Sequence, residues 1–312
     1  MEIKFGKQLQ INEISQVEIS LFLLAVNHEK RKYTAYDNII KTNSINKAIE
    51  FSYSNYLKIE KKSGIERMFI SNLKDISKVL DKFFAKVKPS DNVNIVLDYS
   101  CMTKPWYYTF ILYLKKKKLK LDSVVVFFVY TPSSHEKPQS PKSNSEIAPL
   151  PGKYVVPTDK PKALIVCLGY EKKKAEGIIE HLDPKRCFLF YSKPALDNDF
   201  VKHIESSNAN ILKESNDIIT YDFKNLTQLE RELTSLYYLL RDDYSIIIAP
   251  LGPKPFTFMS MLLSVKYHDI DIWRVGSGSD INEYERKPID NQTFIISKVV
   301  FERSAKNQLH SW

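Results

Sequence analysis

The amino-acid sequence predicts an α/β protein built as two Rossmann-like parallel-sheet halves related by internal duplication. Three observations predict it. Apolar runs of strand length alternate with stretches of helix length along most of the chain. Several of those runs, such as Val124-Val125-Val126-Phe127-Phe128-Val129, are apolar on both faces, as interior parallel strands are. The order of strands and polar motifs in the first half then recurs in the second.

In the first half, residues 17–26 read as a strand, and the polar segment Asn27-His28-Glu29-Lys30-Arg31 after it reads as the opening of a helix. A second strand is predicted over 48–54. Within 75–87, Ile76, Val79, Leu80, Phe83 and Phe84 recur at the spacing of one buried helix face. Residues 93–98 are a short strand that runs into Tyr99-Ser100-Cys101-Met102-Thr103-Lys104-Pro105. Pro105 suits the start of a helix over 106–114, because the N–H it lacks has no partner there. Residues 123–130 follow as a strand.

Between 131 and 160 the composition shifts to Pro, Ser and Lys, with prolines at 132, 138, 141, 149, 151 and 157. This marks a connector, inside which Lys153-Tyr154-Val155-Val156 reads as an edge strand. The second half then gives a strand over 163–168, the polar turn Gly169-Tyr170-Glu171-Lys172-Lys173-Lys174, a helix over 175–182 and a strand over 187–191. Helices are predicted over 199–205 and 226–240. A strand over 244–249 enters Pro250-Leu251-Gly252-Pro253-Lys254-Pro255, followed by a helix over 256–266 and a strand over 270–275. A flexible loop, Gly276-Ser277-Gly278-Ser279, and a late strand over 293–301 complete the half. The expected organisation is an N-terminal half over 1–130, the connector over 131–160, a C-terminal half over 161–302 and a polar tail over 303–312.

The duplication is carried by two pairs of motifs. His28-Glu29-Lys30-Arg31 matches Tyr170-Glu171-Lys172-Lys173, and Thr103-Lys104-Pro105 matches Pro253-Lys254-Pro255. Glu29 precedes Lys104 by 75 residues and Glu171 precedes Lys254 by 83. In an open α/β sheet ligands bind beyond the carboxyl ends of the strands, where the strand order reverses. A loop entering a helix there offers backbone N–H groups and the positive end of the helix dipole, to which each lysine adds a charge. The candidate ligand-binding residues are therefore Lys104, Lys254, Glu29, Glu171, Ser100, Thr103 and Gly252, and the expected guest is phosphate-bearing. The carboxylates, placed one turn into their helices, would accept from ribose or base or pair with the lysine of the other motif. Dipole preference and ordinary helix-start chemistry explain each motif singly; their repetition is what packing alone does not ask for.

Composition narrows the function classes. With 312 residues, 43% hydrophobic and 12% aromatic, the chain has ample material for buried cores. It has no run of 18 apolar residues, and Met1-Glu2-Ile3-Lys4 does not open like a secretory signal, so a cytoplasmic protein without membrane association is expected. The net charge of +9 points toward nucleic acid, but only eight of the 46 basic residues are arginine, the side chain that reads phosphates bidentately. The dense cluster Lys115 to Lys118 with Lys120 sits where cations suit a helix C-terminus.

Cys101, Cys167 and Cys187 form no CxxC pair and read as reduced thiols. Cys101 lies near a helix N-terminus beside Asp98, Tyr99 and Ser100, yet no arginine follows at phosphatase-loop spacing. The six histidines show neither HxH nor HExxH spacing, and no GxGxxG follows the first strand, so neither a metal nor a cofactor is expected. Trp106, Tyr107 and Tyr108 at a helix head suit base stacking or core packing.

A strand ending in a small-residue loop with Lys, then an apolar helix and another strand, resembles the CRISPR-associated Rossmann-fold (CARF) sensor domains. Their late motif is typically Gly-Gly-Thr-Lys, a place held here by Cys101-Met102-Thr103-Lys104 and Leu251-Gly252-Pro253-Lys254. Neither loop carries the full motif. The resemblance implies that the two halves form a pseudo-dimer within one chain and bind a cyclic oligonucleotide. It implies a nucleotide-sensing protein of prokaryotic antiviral defence, with a defence-system protein as a further partner. Two other functions stay open: an enzyme cleaving or transferring a nucleotide phosphate, with catalytic residues unknown, and a basic interaction module for nucleic acid or a protein.

Overall fold

A computed structural model describes residues 1–53, 60–136, 144–171, 173–276 and 285–303. The polar tail beyond Arg303 and the loop beyond Gly276 lie outside the described residues. In chain order the elements are β1 (Glu2–Leu9), β2 (Glu18–Ile19), β3 (Leu21–Val26), α1 (Thr34–Ile39), β4 (Ser44–Ile45), β5 (Ala48–Ser52), β6 (Glu66–Phe69), α2 (Leu73–Phe84), β7 (Val93–Asp98), α3 (Lys104–Lys116) and β8 (Ser123–Tyr130). Then follow β9 (Glu146–Pro149), β10 (Lys162–Cys167), α4 (Lys174–Leu182), β11 (Arg186–Ser192), α5 (Asn198–Ser207), α6 (Ala209–Glu214), β12 (Ile218–Tyr221), α7 (Leu226–Leu240), β13 (Ser245–Pro250), α8 (Lys254–Lys266), β14 (Asp271–Gly276) and β15 (Ile295–Glu302).

The chain forms two compact units, one of Met1–Ser133 with Tyr284–Trp312 and one of Ser134–Glu283. In the first, the sheet order is β6-β5-β3-β7-β8-β15-β1, with β6 to β8 parallel and β15 antiparallel to both β8 and β1. In the second it is β12-β11-β10-β13-β14-β9, with β9 alone antiparallel. Counting the parallel strands in chain order within each unit, both sheets read 3-2-1-4-5 followed by an antiparallel strand. Both units are Rossmann-like, and the duplication predicted from the motifs is one of topology.

The packing repeats as well. Alternate residues of the first strand, Phe22, Leu24 and Val26, share a core with Ala35, Tyr36 and Ile39 of α1. Their counterparts Leu164, Val166 and Leu168 share one with Ala175, Ile178 and Leu182 of α4. The period of two on the strand puts these residues on one face, and burying each such face stabilises by about 1.5–3 kcal/mol per large side chain. On the fourth-strand side, α2 packs on α3 and α7 on α8. Helices α3 and α8 are each 13 residues long, begin Lys-Pro and are buried along nearly their whole length.

Several expectations need correction. The late strand belongs to the first unit, not to a C-terminal half ending at 302, because β15 finds its hydrogen-bond partners in β8 and β1. The connector's strand is β9, not 153–156: Glu146 to Pro149 pair with Trp273 to Gly276 of β14, whereas Lys153 turns its ammonium to carbonyls of α8 and beyond. The polar segments 27–31 and 169–173 do not open helices; α1 starts at Thr34 and α4 at Lys174. Among the described residues no helix is long and apolar enough to cross a membrane.

Candidate functional site

In a 3-2-1-4-5 sheet the strand order reverses between strands 1 and 4, which here are β3 and β7 in one unit and β10 and β13 in the other. The loops leaving those strands are 27–33 with 99–103, and 168–173 with 251–253. Glu29, Ser100, Thr103 and Lys104 thus lie at the switch point of the first unit. Glu171, Gly252 and Lys254 lie at that of the second.

The first unit's switch point is built round a buried ion pair. Arg31 is 1% exposed, and its Nε donates to Glu29 Oε2 at 2.6 Å. Its other nitrogens donate to the carbonyls of Thr131 at 2.7 Å and Ser100 at 3.1 Å, so one guanidinium ties together the loops after strands 1, 4 and 5. Burial works against that charge, but Tyr130, under the guanidinium at 5.4 Å, and Glu29 outweigh it and raise the Arg31 pKa above its usual value. Asn27 donates to Glu29 Oε1 at 3.1 Å and accepts the Glu29 N–H at 3.0 Å. Ser100 accepts the Thr131 N–H on its hydroxyl at 2.8 Å and donates its own N–H to Asp98 at 2.9 Å.

Glu29 is therefore a structural carboxylate two residues from its partner, not a first-turn helix residue reaching for a lysine of the other motif. A second guanidinium stands outside it. Arg286 Nη1 lies 3.7 Å from Glu29 Oε1, and the Arg286 carbonyl accepts the Lys30 N–H at 3.0 Å. Arg31 was legible as a polar residue after a strand; Arg286 arrives from far along the chain and carried no signal.

The second unit makes the same junction with glycines. Leu251 donates its N–H to the Cys167 carbonyl at 3.0 Å. A Cβ on Gly169 would stand 2.6 Å from the Leu251 oxygen, and one on Gly252 2.8 Å from the Leu168 oxygen. Gly252 is thus required by the close approach of two loops, and Asn208 adds a bond to the Gly169 carbonyl at 2.8 Å. Glu171 is exposed and ion-paired with Lys174, one turn on.

Lys104 and Lys254 are each the first residue of their helix, half-buried, with Thr103 and Pro253 as N-caps. Neither cap side chain accepts an N–H of its helix. The amides here are fewer than a helix start usually offers. Pro105 and Pro255 have none, Pro253 has none, and the N–H groups of Trp106 and Phe256 donate to the Thr103 and Pro253 carbonyls at 3.0 and 3.1 Å. The positive character of these ends rests on the helix dipole and the lysine side chains.

Cys101 is buried, and burial pushes the Cys187 thiol up to about 11. Trp106 stacks on Tyr53 at 4.0 Å, and Tyr107 and Tyr108 are buried, so these aromatics are core. The class that fold and site define is a duplicated Rossmann-like α/β protein with a lysine at each switch point. No protein-family model matches the chain, and no curated protein is similar to it.

Proposed function

We propose that this chain is a cytoplasmic nucleotide-binding or nucleotide-sensing protein whose ligand's phosphates are held at the switch-point loops by Lys104 and Lys254. One observation carries this reading. Two units with the same 3-2-1-4-5 order each place a lysine on the first residue of the helix that leaves strand 4, beside the loop that leaves strand 1. Core packing explains the apolar body of those helices but asks for no cation at their heads, where a lysine adds to the dipole's own positive potential instead of opposing it. An anion is the guest such a repeated arrangement favours, and a nucleotide is the anion that a Rossmann-like switch point suits.

The resemblance to CARF sensor domains makes cyclic oligonucleotides of prokaryotic antiviral defence the first ligands to try. The test is calorimetric titration and thermal melting with mononucleotides, dinucleotides and cyclic oligoadenylates, on the wild type and on Lys104→Ala and Lys254→Ala. A ligand that binds N and not the unfolded chain raises the melting temperature by mass action. Assaying the same mixtures for hydrolysed product separates sensing from catalysis.

A further inference from the structure

We infer that Arg286 is a phosphate-binding residue of the first unit's switch point, an arginine fork standing beside Lys104's loop. The inference rests on the nucleotide-binding reading above and names a residue that reading does not contain. Its first support is charge. Glu29 is already matched by Arg31, which lies at 2.6 Å, is fully buried and is committed to three acceptors, so Arg31 itself is out of a ligand's reach. Arg286 brings a second positive charge to the same carboxylate from 3.7 Å, beyond hydrogen-bond range, with a side chain 31% exposed. The cluster therefore holds one more guanidinium than its central carboxylate needs.

The second support is anchoring. The Arg286 backbone is fixed where it stands: its carbonyl takes the Lys30 N–H at 3.0 Å, Ile289 donates to the Pro132 carbonyl at 3.0 Å, and Pro288 bridges Ser133. The segment thus lies across the carboxyl ends of strands 1 and 5. A fixed backbone with a solvent-reachable guanidinium is what bidentate recognition of a phosphoryl oxygen pair requires, because the planar fork loses little freedom on binding. The ligand class is a phosphate mono- or diester. An arriving oxyanion would draw the guanidinium from its long contact with Glu29 while Arg31 keeps that carboxylate neutralised.

The test measures calorimetric affinity for ATP and for cyclic tetra-adenylate, with adenosine as the phosphate-free control, on the wild type, Arg286→Gln, Arg286→Lys and Lys104→Ala. For whichever phosphate probe binds, Arg286→Gln is expected to weaken binding by about 10-fold or more, as loss of a charge-assisted hydrogen bond does. Arg286→Lys is expected to recover part of that loss by restoring the charge without the fork, and the ligand-free melting temperature is expected to hold in both variants. If Lys104→Ala abolishes binding while Arg286→Gln leaves it unchanged, the inference fails and the nucleotide reading stands. If Arg286→Gln and Arg286→Lys both melt well below the wild type without ligand, Arg286 is a structural clamp and the inference fails. If neither probe binds the wild type, both fall.

Discussion

Arg31 Nε and Glu29 Oε2 meet at 2.6 Å with both side chains buried, and the same guanidinium reaches the Thr131 and Ser100 carbonyls. This pair, not a helix, shapes the loop after the first strand. Removing one partner of a buried ion pair leaves an uncompensated charge and typically costs about 3–5 kcal/mol. Arg31→Met is therefore expected to lower stability in urea denaturation by that order, and Arg31→Met with Glu29→Gln to recover part of it. A loss under about 1 kcal/mol, the scale of an exposed pair, would show that the pairing is not buried in solution.

The strands and helices with dense apolar content were legible because their burial is two-sided or strictly periodic. Residues 93–98, 123–130 and 226–240 were placed within a residue of β7, β8 and α7. The elements that escaped are edges. β6 reads Glu66-Arg67-Met68-Phe69, and β12 has only Tyr221 buried, because an edge strand packs against one neighbour and keeps polar residues. β1 escaped for the same reason, with Lys4 and Lys7 exposed between the buried Ile3 and Leu9. The assignment of β15 failed because strand pairing is non-local: its sequence neighbours lie in the second unit, its hydrogen-bond partners in the first. At the candidate site the lysine and glutamate positions were visible as a repeat. The burial of Glu29 and the approach of Arg286 were not, since both depend on which distant segment covers the loop.

The glycine junction of the second unit gives a prediction of its own. A methyl group on Gly169 meets the Leu251 oxygen at 2.6 Å, a backbone atom that cannot swing aside. Gly169→Ala is expected to destabilise by about 1–3 kcal/mol, the usual cost of overpacking, seen as a lowered melting temperature. An unchanged melting temperature would mean that the two loops stand further apart.

Lys153 anchors the connector to the end of α8. Its ammonium donates to the carbonyls of Ser264 at 2.5 Å, Ile270 at 2.6 Å and Tyr267 at 3.3 Å, at the end where the helix dipole favours a cation. Lys153→Met keeps the aliphatic stem and leaves those carbonyls without this donor. A loss of about 1–3 kcal/mol in chemical denaturation is expected. Equal stability of variant and wild type would assign the anchoring to other groups.

Asp75 sets a pH dependence. Its carboxyl is held at about 2, down from the usual 3.8, first by the Ser71 hydroxyl, then by the Lys78 ammonium and the Asn72 and Ser71 N–H groups that cap α2. The folded pKa lies below the unfolded one, so the contribution is complete above about pH 5 and drains away as the pH falls through 4 toward 2. Melting temperatures of the wild type and Asp75→Asn are expected to differ at pH 6 and to converge near pH 2. A difference that persists undiminished at the acid end would contradict the assignment.

Calorimetric titration of the wild type, Lys104→Ala and Lys254→Ala with the nucleotide and cyclic oligoadenylate panel puts the account to its most direct trial. The expected result is one phosphate-bearing compound that binds the wild type, raises its melting temperature and loses about 10-fold or more in affinity when either lysine is removed. Silence across the panel, or a bound nucleotide indifferent to both substitutions, would mean that the repeated lysines serve the helices alone.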